Sequence, residues 1–159
     1  HWLPNLYFRA AAGGLAVAAL SWLLGGRYCG AGMNVIAQAV EQGQALPWDF
    51  VCKALLTALT LGAGFKGGEV VPSFFVGACF GCIAGPLLGL PAGAAAAVGL
   101  VSVFCGATNT PAASILLAVE LFGGQGTALC AIGCVLCFWL SGSHGLYEAQ
   151  QFARPKLGE

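Results

Sequence analysis

Apart from His144 and the cysteine thiols, Glu120 is the only ionisable side chain between Val70 and Leu146, a stretch that makes up almost half of the chain. A segment so poor in charge folds against lipid or inside protein, not against water. The rest of the composition agrees. Only 8% of the 159 residues are charged and 58% are hydrophobic, against roughly 25% charged in an ordinary soluble domain. Six basic and six acidic residues do not cover the surface of a 16.0 kDa soluble protein, and mean hydropathy is +0.85, so a membrane protein is expected. The net charge of zero leaves no basic footprint for nucleic acid. Most of the 8 cysteines lie within apolar runs, where they pack as small apolar residues rather than forming a disulfide framework. The chain opens on His1 without a cleavable leader pattern and reads as a fragment of something longer.

The apolar run Ala10–Gly26, free of charge between Arg9 and Arg27, approaches the ~20 residues needed to cross a hydrocarbon core and predicts a spanning helix. The glycine pair Gly30-Ala-Gly32 leads into Met33–Val40, too polar and brief to span. Pro47 fits the first turn of a helix running through Cys52, Leu55, Leu56 and Leu59 to about Leu61. Gly62, Gly64, Gly67 and Gly68, with Lys66 among them, then form a glycine-rich loop. Beyond it, Gly and Pro divide the chain into helices over Glu69–Gly89, Ala92–Phe104, Thr110–Phe122 and Gly126–Leu140. The first of these is about 30 Å long and spans, while the next two are short. Short apolar helices joined by glycine loops at membrane depth are tolerated only where they pack in protein or line a watery cavity, as ion pathways do. A final segment, His144–Phe152, is capped by Ser143 and ends in the polar tail Arg154-Pro155-Lys156, whose basic residues favour a cytoplasmic C-terminus. The expected fold is all-α: polytopic transmembrane helices of uneven length with re-entrant or broken segments, in one domain over residues 1–159.

The sharpest local signal is the glycine loop running into Glu69-Val-Val-Pro-Ser-Phe-Phe-Val-Gly-Ala-Cys-Phe-Gly81. Glycines let backbone turn sharply and approach a ligand, and the helix that follows begins with free N–H groups and a partial positive charge. In outline this is an anion site in which amide donors replace lost hydration without a full cationic charge to trap the ion. The alternative is that the glycines only permit close helix contact. Gly77, Gly81, Gly85 and Gly89 recur every four residues as a small-residue stripe, read as helix packing. Cys130, Cys134 and Cys137 share a helical face and Cys79 and Cys82 have Cys-x-x-Cys spacing. Neither group has a local His or Asp companion, so no metal and no cofactor is expected.

Gly67-Gly68-Glu69-Val70-Val71-Pro72 and the residues after it resemble the Gly-x-Phe-x-Pro signature that opens a pore-lining helix in the CLC chloride channels and proton-coupled antiporters. Three further segments resemble that family in the same order: Gly30–Ile36, Cys105–Leu121 with its Glu near the close, and Gly145-Leu-Tyr147-Glu. The resemblance covers nearly the whole chain and corresponds to the C-terminal half of a CLC subunit, without the N-terminal half that bears the gating glutamate and a serine-bearing loop. It implies transport of chloride or fluoride, by a voltage-gated channel or by antiport with protons, in a multi-pass protein of the lipid bilayer, here a bacterial plasma membrane. It also implies a homodimer as the full-length protein, with the Thr110 and Gly126 helices near the subunit contact. Carried over, the anion is held by backbone around Gly68, Glu69 and Val70 and by the Tyr147 hydroxyl, a neutral donor with an ordinary pKa of about 10.

Glu69 departs from chloride-selective members, which carry an apolar residue there, and Val70 replaces their Phe; a Glu at this place resembles the fluoride–proton antiporter branch. Placing a carboxylate within a membrane costs on the order of 2.5–3.5 kcal/mol. Favourable contact with a helix N-terminus returns only about 0.3–1 kcal/mol, so Glu69 is a candidate for proton transfer. An ion pair with Lys66 would weaken that inference. Glu120, near the end of an apolar helix, is read as structural. The alternative function is a non-transporting membrane scaffold or degenerate half-transporter. An enzyme is disfavoured, because no buried acid–base pair or Cys/His cluster falls at useful spacing.

Overall fold

The computed structural model describes residues 6–124, 126–142 and 145–146. Among these the chain is all-α, with seven helices: α1 (Leu6–Leu23), α2 (Met33–Ala37), α3 (Asp49–Gly62), α4 (Val70–Ala84), α5 (Ala92–Thr108), α6 (Pro111–Phe122) and α7 (Thr127–Leu140). A π-helical turn, Gln38–Gln42, follows α2, and a 3-10 turn, Gly85–Leu88, follows α4. The expected segments His144–Phe152 and Arg154–Lys156 lie outside the described residues, apart from Gly145 and Leu146.

The helices lie in the packing order α1, α3, α4, α5, α7, with α6 against both α5 and α7. The tightest seam is between α4 and α5, and its cause is in the sequence. A Cβ added at Gly77 would strike the Gly99 carbonyl, one at Gly81 the Ala95 carbonyl, and one at Gly85 the Ala95 side chain. The two backbones therefore touch directly. Gly89 differs from the other three: it faces open space and closes the 3-10 turn at φ 75°, a backbone conformation that favours glycine. Phe75, Ala78 and Cys79 of α4, Val101 and Cys105 of α5 and Cys134 of α7 form the fully buried centre.

Element boundaries depart from the sequence pattern for local reasons. The helix expected over Glu69–Gly89 is α-helical only to Ala84, because Pro86 donates no backbone hydrogen bond and the chain tightens to 3-10 geometry. Together these turns make Val70–Leu88 a continuous stretch of 19 residues, long and apolar enough to cross a membrane. Tyr7–Leu23 is apolar but shorter. The expected Ala10–Gly26 helix lies three or four residues earlier, since Gly25 and Gly26 adopt positive φ and end it. The helix expected to end at Phe104 continues to Thr108, where Asn109 at φ 57° stops it.

Candidate functional site

Glu69 occupies the N-cap of α4 with backbone angles of φ −92° and ψ −14°. Its carbonyl accepts the Ser73 N–H at 3.1 Å, and the Ser73 hydroxyl donates to the Val70 carbonyl at 2.6 Å. Pro72 has no N–H. The amides of Glu69, Val70 and Val71 have no backbone acceptor among the described residues, the condition expected of a helix start. The Glu69 side chain is half-buried, without a hydrogen bond or ion pair there, and Lys66 is exposed and does not pair with it. Gly67 and Gly68 would meet nothing if they carried a Cβ, so they leave the approach to α4 open. Tyr147 lies outside the described residues. The chain just ahead of it is tied to the end of α5, with the Leu146 N–H donating to the Ala107 carbonyl at 2.9 Å.

At the start of α3 stands a group of charges that the sequence pattern did not bring together. Asp49, at the start of α3, is fully buried. Its carboxylate accepts from Arg27 Nε at 3.3 Å and Nη2 at 3.1 Å, from the Tyr28 hydroxyl at 2.6 Å and from the Leu46 N–H at 2.9 Å. The hydrogen bond to Asp49 raises the Arg27 pKa above its ordinary value. Burial, with help from Asp49, raises that of the Tyr28 phenol.

Lys53, one helical turn after Asp49, does not join that network. Its ammonium donates to the Tyr28 carbonyl at 3.0 Å and the Gly30 carbonyl at 2.6 Å and lies 5.3 Å from the centre of the Phe75 ring. The pair Gly30-Ala-Gly32 makes this arrangement possible. Gly32, at φ 70°, passes so near Phe75 that a Cβ would lie 2.7 Å from two ring carbons. Lys53 and Tyr28, with Ser21, Thr57, Gly67 and Gly68, border a cavity of about 300 Å³ between α1, α3 and the start of α4. On sequence spacing, Asp49 and Lys53 resemble a local pair; only the fold shows that Arg27 takes the carboxylate.

The cysteines form no such centre. All 8 are free, and Cys79, Cys82, Cys105, Cys130 and Cys134 are buried. Cys134 hydrogen-bonds through sulfur to the Val101 carbonyl at 3.8 Å, as a packing residue would. Glu120 is exposed on α6.

The family model for the voltage gated chloride channel matches residues 2–142. A chloride/fluoride channel protein of Pseudomonas syringae is 44% identical over 155 residues, covering 93% of this chain and 34% of that protein. An uncharacterized protein of Methanocaldococcus jannaschii is 27% identical over 143 residues, covering 88% of this chain and 36% of its own length. The chain thus spans about a third of the curated relatives it matches. Among solved structures, a CLC-type fluoride/proton antiporter superposes with a TM-score of 0.86 at 38% identity, over 92% of this chain and 37% of that one. With a family match over residues 2–142, the chain belongs to the voltage gated chloride channel family.

Proposed function

We propose that this chain is one membrane domain, the C-terminal half of a subunit that moves fluoride or chloride across a bacterial plasma membrane in exchange for protons. The observation that carries this is Glu69: a half-buried carboxylate with no partner among the described residues, at the cap of a helix whose first amides are free. The backbone of Gly68, Glu69 and Val70 and the hydroxyl of Tyr147 hold the dehydrated anion by donating hydrogen bonds. Glu69 carries the proton. When protonated, a carboxyl donates a hydrogen bond, which suits a small hard anion beside it. The likeness to a fluoride/proton antiporter supports fluoride as the partner of that exchange. The remaining half of the subunit completes the path, and a second copy packs against the exposed apolar faces of α6 and α7.

The test is efflux from proteoliposomes holding the full-length protein, with fluoride, chloride and pH followed together. Halide leaves as protons enter. Glu69→Gln keeps the amides but removes the proton site, so halide movement persists and proton movement stops. Tyr147→Phe slows halide flux by about tenfold or more, as loss of an anion donor does. Flux that is independent of halide in a correctly inserted wild-type protein assigns the chain instead to a non-transporting scaffold.

A further inference from the structure

Lys53 has no use in the exchange just described, yet it is 4% exposed and borders the same cavity as Gly67 and Gly68. Burying an ammonium costs several kcal/mol unless an opposite charge compensates it. Two carbonyls and the face of Phe75 offset part of that cost, but they are dipoles and leave the charge uncancelled. No carboxylate among the described residues lies within ion-pair distance of Lys53. Asp49, the nearest along the helix, is already matched by Arg27.

Most hydroxyls around the cavity have their donor hydrogens committed elsewhere. The Tyr28 hydroxyl is committed to Asp49, and the hydroxyls of Thr57 and Thr60 donate to carbonyls of their own helix. Two donating side chains remain: the Lys53 ammonium, with three N–H bonds and two carbonyl acceptors, and the Ser21 hydroxyl, which has no partner among the described residues. Gly67 and Gly68 border the same space, immediately before the free amides of α4. The cavity of about 300 Å³ exceeds the ≈30 Å³ share of a single water many times, so it has room for a halide with part of its hydration shell.

We propose that this cavity is a second halide site, in which Lys53 and Ser21 hold a partly hydrated anion behind the glycine loop and raise its concentration at the start of α4. The proposal rests on the anion-transport reading for its purpose but not for its existence. The path site grips the ion through neutral amides; this one attracts it by charge and lets it keep water.

Two measurements on the full-length protein separate those parts. In crystals grown with bromide, anomalous scattering places an ion against Lys53 Nζ in the wild type and in Lys53→Arg, and not in Lys53→Gln. Bromide at other sites with none here, or a carboxylate from another part of the protein seated on Lys53, overturns the site, whether or not the protein transports. In efflux, Lys53→Gln raises the half-saturating halide concentration about fivefold or more with little change in maximal rate, the pattern of lost ground-state binding. Ser21→Asp does the same by placing a competing carboxylate beside an intact Lys53, and it decides the matter if Lys53→Gln fails to fold. Half-saturation unchanged in Ser21→Asp overturns the proposal. A bromide peak here in a protein that moves no halide removes the transport reading and leaves the site standing.

Discussion

Asp49 accepts four hydrogen bonds with no exposed surface, so its removal leaves Arg27, Tyr28 and the Leu46 amide without their acceptor at once. Breaking a buried ion pair from one side costs about 3–5 kcal/mol. Arg27 is 34% exposed and recovers some hydration, which puts Asp49→Ala near the lower end, about 3 kcal/mol. Thermal unfolding in detergent, followed by tryptophan fluorescence, reads this as a midpoint lower by several degrees. Tyr28 adds a dependence on pH. Its phenol pKa is higher in the folded chain than in the unfolded one, so the folded state holds that proton more tightly. The resulting stability is complete below the unfolded value of about 10 and is lost as pH climbs through the folded one. Tyr28→Phe therefore lowers the midpoint at pH 8 and flattens its decline above pH ~10, relative to wild type. An unchanged slope contradicts the assignment.

At the scale of elements, glycines that look alike in the sequence separate into two kinds. Gly81 lies against the Ala95 carbonyl, which is backbone and cannot swing aside, whereas Gly89 faces open space at φ 75°. Gly81→Ala forces α4 and α5 apart and costs about 2–3 kcal/mol, in the range of overpacked cores. Gly89→Ala meets only the left-handed penalty of about 1–2 kcal/mol. The difference is measurable as the gap between their unfolding midpoints. The same elements show what a linear pattern conveys. Runs of apolar residues punctuated by Gly and Pro locate α3, α4, α6 and α7 to within a few residues, because those residues act through local backbone chemistry. Gly106 misleads, since it sits inside α5 and makes room for Cys137 of α7, while Asn109 makes the actual stop. The free start of α4 is visible as a loop before an apolar run. Lys53 is not, because its role depends on Arg27 coming from 22 residues away to occupy Asp49. The π-helical turn at Gln38–Gln42 leaves no mark in the pattern.

Across the whole molecule, apolar side chains turn outward. Leu116 and Leu121 of α6 and Ile132 and Leu136 of α7 are exposed, and surface of this kind is covered by lipid or by protein. If a second copy covers it, Leu136→Cys links two full-length subunits under mild oxidation while Leu15→Cys, exposed on α1, does not. Equal linking at both positions argues for lipid there instead. A last consequence follows from the way α4 and α5 meet. With carbonyl and glycine carbon pressed together and no layer of side chains between them, the two cylinders have nothing to roll upon. They form a rigid keel. In the exchange proposed above, α4 and α5 then do not shift against each other, and the carboxyl of residue 69 swings against amides that stay fixed.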